Sequence, residues 1–127
     1  MNRAGELADT LRREVPDLIV ELRPVQFNND LTDLEVDGGG WSVYITVAPR
    51  VNSQQIFLDD FRFEELTDTE VIQVLKNLRE KKARVQIVRG LLRRHVYLSF
   101  DLLGKEIVSS RVFHGTLAHW EQELITT

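Results

Sequence analysis

Six carboxylates crowd into twelve residues: Asp59, Asp60, Glu64, Glu65, Asp68 and Glu70. Acids held this close shift one another's pKa, so such a cluster can divide acid and base roles or hold a divalent cation. Asp68 and Glu70, however, fall in the first turn of an expected helix, where negative charge suits the helix dipole. Asp59, Asp60, Glu64 and Glu65 alternate with Phe61, Phe63 and Leu66, as exposed partners of buried positions do. A docking surface for a basic partner asks least of their geometry. The opposite charge is concentrated next in the chain. Lys76, Arg79, Lys81, Lys82, Arg84, Arg89, Arg93 and Arg94 fall within 19 residues, opposed only by Glu80. Arg79, Lys81, Lys82, Arg84, Arg89, Arg93 and Arg94 would neutralise phosphates and bind nucleic acid in a salt-dependent way. Aromatic residues for base stacking are missing from that segment, Tyr97 being the nearest, which weighs against this use.

Other chemistries find less support. There is no cysteine, which removes thiolate catalysis, disulfides and cysteine-based metal sites. His114 and His119 are five apart and would diverge by about 140° on a helix, and His95 belongs to another element. Ser99, Ser109 and Ser110 lack the Gly-x-Ser-x-Gly context of a nucleophile elbow. Gly38, Gly39 and Gly40 precede a strand and no Gly-Lys-Ser/Thr follows, so they read as a turn and not as a phosphate loop. The expectation is a non-catalytic protein with no cofactor and no metal.

These residues are positioned by one domain of 127 residues, 43% hydrophobic and 28% charged. Its net charge of −4 hides a division: residues 1–70 hold 15 acids and 6 bases, and residues 71–127 hold 5 acids and 10 bases. The longest stretch without a charged residue, 38–49, is too short and too polar to span a bilayer. No signal-peptide core follows the N-terminus, so a cytoplasmic protein without membrane contact is expected.

Ala4, Leu7, Ala8, Leu11 and Val15 predict a first amphipathic helix ending at Pro16. Four strands are expected after it: 18–27 with a turn at Asn28-Asn29-Asp30, 34–36, 41–47 with Trp41, Val43, Ile45 and Val47 on one face, and 55–63. Thr67 and Glu70 form a capping box, with Leu66 and Val71 placed as a hydrophobic staple, for a helix that fades near Lys82. Residues 84–87 and 96–102 alternate as two more strands. A last helix after Ser109 or Ser110 would present Phe113, Leu117, Trp120 and Leu124, although Gly115 costs it about 1 kcal/mol. The expected fold class is therefore α+β: a mainly antiparallel sheet in the order α-β-β-β-β-α-β-β-α, with the helices on one face. Trp41, Phe61 and Trp120 are expected in the core.

This order resembles the type III secretion chaperone-like fold, including its YbjN-like relatives. The shared features are the helix ending near Pro16, the strand block closing at 57–63, the capped helix 67–82, the strand pair through 96–102 and the final helix. The resemblance implies a non-enzymatic protein that binds a partner polypeptide and is often a dimer. Small acidic immunity proteins of bacterial toxin systems are similar at this level. The expected partner is thus another protein, an effector or a toxin, with a second copy of the chain as a further partner. The binding surface is either the acidic cluster or an exposed apolar sheet edge.

Overall fold

Ala4, Leu7, Ala8 and Leu11 are buried along one stripe of the first helix, α1 (Arg3–Glu14). The computed structural model describes residues 3–24 and 32–125. Pro16 lies just past the helix end, where Val15 N–H still donates to Leu11 O at 2.8 Å. Five strands follow: β1 (Ile19–Pro24), β2 (Thr32–Asp37), β3 (Ser42–Val47), β4 (Gln54–Leu58) and β5 (Phe61–Leu66). They pair antiparallel in sequence order. The rest of expected strand 18–27, and the Asn28-Asn29-Asp30 turn, lie outside the described residues.

The second helix, α2 (Asp68–Arg79), starts on the capping box. Glu70 N–H donates to Thr67 Oγ1 at 3.3 Å, and Thr67 N–H donates to Glu70 Oε1 at 3.0 Å. Val71, Val74, Leu75 and Leu78 form its buried stripe. It stops where Lys81 turns left-handed (φ 58°), with Lys81 and Lys82 N–H donating back to Leu78 and Asn77 carbonyls. A second sheet then forms from β6 (Arg84–Arg89), β7 (Arg94–Leu102) and β8 (Lys105–Val112), before a short α3 (His119–Leu124).

The α+β class and the succession helix, strands, helix, strands, helix are as expected, but each strand block holds one strand more. Residues 55–63 are not one strand. Asp59, at φ 51°, turns the chain so that Leu58 pairs with Phe61. Aspartate tolerates this conformation, so two adjacent aspartates act as a hairpin turn. The last helix does not start at Ser109 or Ser110 either. Ile107, Val108 and Val112 are β-branched and pair along β7, whose nine residues would otherwise present a bare edge. Gly115, at φ 96°, lies between that strand and α3, and only Trp120 and Leu124 of the expected stripe are fully buried on the helix.

Both sheets turn one face to a single core that also takes the stripes of all three helices. β5 lies beside β8, and Arg62 N–H donates to Ser109 Oγ at 3.1 Å across the junction. Phe61 and Trp120 meet edge-to-face at 6.1 Å in that core, while Trp41 packs half-buried against it. The outward positions of the eight strands hold only half-buried or exposed side chains. No helix among the described residues is long and apolar enough to cross a membrane.

The β7–β8 turn has a mismatch. Leu103, 71% exposed, adopts φ 45° before Gly104 at φ 91°, a pair of positive angles that favours Asn-Gly. Leu103→Asn is expected to stabilise the fold by about 0.5–1 kcal/mol, read as a higher urea midpoint at unchanged slope.

Candidate functional site

The acidic cluster does not fold into one patch. Asp59 and Asp60 form the β4–β5 turn, whereas Glu64 and Glu65 stand opposite Gln55 as a bulge near the far end of β5. About four residues of extended chain, roughly 15 Å, separate the two pairs. Asp59 accepts a hydrogen bond from Trp120 Nε1 at 2.8 Å and so ties the turn to α3. Glu64 pairs with Arg62 at 2.7 Å, and Glu65 takes the left-handed angle of the bulge, φ 56°. Asp60 and Glu65 are exposed. Asp68 accepts from Gln54 Nε2 at 2.7 Å and from Arg3, while Glu70 bridges the helix cap and Lys105 Nζ at 2.6 Å. Among the described residues, no group of three His, Asp or Glu is placed to hold a metal ion.

Lys105 and the Thr67 amide hold the Glu70 carboxyl below the ordinary glutamate value. A carboxylate depressed on folding adds stability above its unfolded pKa, and that contribution disappears as pH falls through the folded one. Wild type is therefore expected to exceed Glu70→Gln in urea midpoint at neutral pH. The gap should close as the solution is acidified below about pH 4.

The basic segment is split as well. Arg79 pairs with Asp17 at 3.0 Å, Lys81 with Glu123 at 3.0 Å, Lys82 with Glu80 at 3.1 Å, and Arg84 with Asp101 at 2.6 Å and with Glu106. These contacts hold Glu80, Asp101 and Glu123 below their ordinary carboxylate values, through Lys82, Arg84 and Lys81 respectively. Of these pairs, Arg79–Asp17 joins the two oppositely charged halves of the sequence, as do Lys76–Glu14 and Lys105–Glu70, while the others form within residues 71–127. Arg89, Arg93 and Arg94 are different. They surround the β6–β7 turn and form no ion pair among the described residues, Arg94 lying 4.7 Å over the Phe113 ring.

The glycine run is a turn between β2 and β3. A Cβ on Gly38 would meet the Trp41 ring at 2.3 Å, so glycine there lets the indole cover the turn. Asp37 accepts from Gly39 N–H at 2.8 Å, a carboxylate standing where a phosphate loop would need to be anion-free. The cleft of about 390 Å³ between this turn, Leu78 and Trp120 is rimmed by the Arg79–Asp17 and Lys81–Glu123 pairs. His119 pairs with Glu123 at 3.0 Å, His95 lies beside Tyr97, and His114 is exposed, so the three do not converge.

Two surfaces emerge that the sequence reading did not single out. The first is the sheet face away from the helices. Strand register lines up Glu21, Glu35, Tyr44, Phe57 and Arg62 in one row across β1–β5. Tyr44 is 44% exposed beside half-buried Phe57, and Arg23 ties Glu21 to Glu35 at the rim. On the second sheet the same side presents Val88, Tyr97 and Val108, and Tyr97, Val88 and Val108 line an open hollow of about 350 Å³. The alternation of Ser42, Tyr44 and Thr46 carried the signal for this face. The second surface is the β6–β7 tip, where Leu91 and Leu92 are 100% and 91% exposed. Two adjacent leucines in a glycine-led turn were its signal. No family model matches the chain, and neither a curated protein nor a solved structure matches it.

Proposed function

We propose that the protein is a non-catalytic, chaperone-like adaptor that binds a partner polypeptide across the helix-free face of its sheets. The observation that carries this reading is the Tyr44–Phe57 pair, adjacent in register at the centre of a sheet face that no helix among the described residues covers. Aromatic side chains at the centre with charges at the rim are what a protein interface core uses, since rings bury much apolar area at low entropic cost. Of the surfaces first weighed, this replaces the acidic cluster as the principal one, because Asp59, Asp60, Glu64 and Glu65 are divided along β5. Glu64 remains on the binding face, next to Arg62. An effector held before delivery is the partner class, in the cytoplasm that the cysteine-free chain suits. The neutralisation of a basic toxin is the second reading, supported by Asp33, Glu21 and Glu35 at the rim of the same face.

A photo-crosslinking side chain at Gln55, on this face, and another at Arg13, on α1, test the proposal. Crosslinks to one polypeptide from position 55 and none from 13 are expected, and Tyr44→Ser should weaken that complex about tenfold or more. Equal crosslinking from both positions, or none from 55, overturns it. A complex that dissolves in moderate salt would select the toxin reading over the effector reading.

A further inference from the structure

Leu91 and Leu92 are the two most exposed of the exposed large apolar side chains in the described chain, and they are neighbours in the turn between β6 and β7. The turn that carries them is closed. Arg89 pairs with Arg94 at the end of the strands, and Gly90 N–H donates to Arg93 O at 2.8 Å. A Cβ on Gly90 would stand 2.8 Å from that same carbonyl oxygen, so glycine lets the backbone close here. The turn therefore holds both leucines outward on a defined hairpin end, where they line one open hollow with Arg89, Arg93 and Arg94.

The surroundings share this sign. Residues 81–100 and 107–120 contain no aspartate or glutamate. β8 reaches this end with Val112 opposite His95, and Phe113 N–H donates to Arg94 O at 2.9 Å. The cations further back along β6, α2 and the loop between them are paired, so among the described residues of 71–127 the arginines without an ion pair are those of the tip, while the molecule as a whole is at −4. Such a charge distribution orients the tip toward a negative surface over roughly a Debye length.

We propose that the β6–β7 tip is a docking site for an anionic lipid bilayer, independent of the partner-binding face. Leu91 and Leu92 enter the interface between headgroups and acyl chains, and Arg89, Arg93 and Arg94 take lipid phosphates around them. A bilayer accepts an exposed apolar turn by deforming, whereas a protein partner needs a pocket already shaped for two side-by-side leucines. Nucleic acid would satisfy the guanidiniums and leave both leucines in water. Two apolar side chains with three arginines beside them give reversible peripheral attachment, and no membrane-spanning helix is needed.

Flotation with phosphatidylcholine vesicles, with and without phosphatidylglycerol, tests the site on the full chain. Binding only to the mixed vesicles is expected, weakening as salt is raised. The double variant Leu91→Ser, Leu92→Ser keeps all charges and should lose about tenfold or more in partitioning. Arg93→Gln with Arg94→Gln should lose about as much. All four positions are exposed, and unchanged circular dichroism confirms that the variants fold. A Leu91→Trp variant should shift its emission to the blue on the mixed vesicles and be quenched by brominated lipid. The proposal is overturned if the parent chain ignores phosphatidylglycerol vesicles, or if the leucine variant binds them as tightly as the parent. It also fails if duplex DNA at equal phosphate strips the protein from the vesicles, or if the tip captures an acidic polypeptide while vesicles stay unbound.

Discussion

Glu121→Ala is expected to lower the unfolding free energy by about 3–5 kcal/mol, read from urea denaturation monitored by tryptophan fluorescence. Glu121 and Arg111 leave only 2% and 11% of their side chains exposed. Their fork is bidentate. Arg111 Nη2 donates to both carboxylate oxygens at 2.7 and 2.8 Å, and Nε adds a third contact at 3.1 Å. The pair is also saturated from outside: Nη1 donates to Val112 O at 3.1 Å, and Glu121 Oε1 accepts from Ala118 N–H at 2.8 Å. The guanidinium lies 5.7 Å over the Phe61 ring, which itself meets Trp120. Removing the carboxylate strands a buried cation and uncaps α3 in one step. Removing both charges together is a different experiment. Arg111→Met with Glu121→Leu should recover most of the loss, because desolvating a buried pair costs nearly as much as its attraction returns. A single-variant loss below about 1 kcal/mol would show that Arg111 finds water instead.

That pair illustrates how much of the molecule could be read in advance. Local signals survived intact: Thr67 and Glu70 cap α2 as their spacing requires, and Val43, Ile45 and Val47 face the core as their alternation requires. Signals that depend on what lies alongside did not. Phe113, Leu117, Trp120 and Leu124 have helical spacing, yet the residues before Phe113 pair with β7 because its nine residues need a partner strand. Arg111 is one of ten bases in the positive half with no local pattern to mark it, and only the β8 register turns it inward toward Glu121. The acidic cluster is dispersed for a related reason. Residues 59–70 are close in sequence, but an extended strand carries its ends far apart, so a run of acids on β5 cannot be one patch. Tyr44 and Phe57 show the reverse: thirteen positions apart in the chain, they become neighbours through strand pairing.

The second large effect concerns Gln54, a polar side chain with no exposed surface. Its Oε1 accepts from Ala48 N–H at 3.1 Å, and its Nε2 donates to Asp68 Oδ1 at 2.7 Å and Asn52 Oδ1 at 3.2 Å. Asn52 in turn accepts from Asp68 N–H at 2.8 Å, and Arg3 reaches both Asn52 and Asp68. One amide therefore joins the strand before it, the start of α2 and the start of α1. Gln54→Leu should cost about 1–3 kcal/mol, chiefly because the half-buried Ala48 N–H loses its acceptor. Gln54→Glu keeps the shape and the acceptor but replaces the donor to Asp68 with a second carboxylate. The new carboxylate has no exposed surface and faces Asp68, whose side chain is 38% exposed, so one of the two takes up a proton, and a loss of about 3 kcal/mol at neutral pH is expected. The folded state of this variant must take up a proton that the unfolded chain, with its two acids apart, does not hold at neutral pH. Its stability relative to wild type should therefore rise as pH falls toward the ordinary carboxylate range, near about 4. Urea midpoints of Gln54→Leu and Gln54→Glu measured side by side across pH separate the two causes. The leucine variant should show a deficit that does not close on acidification, and the glutamate variant one that shrinks. A glutamate variant whose deficit is the same at every pH would mean that Arg3 alone neutralises both carboxylates and that the Gln54 amide is there only for its shape.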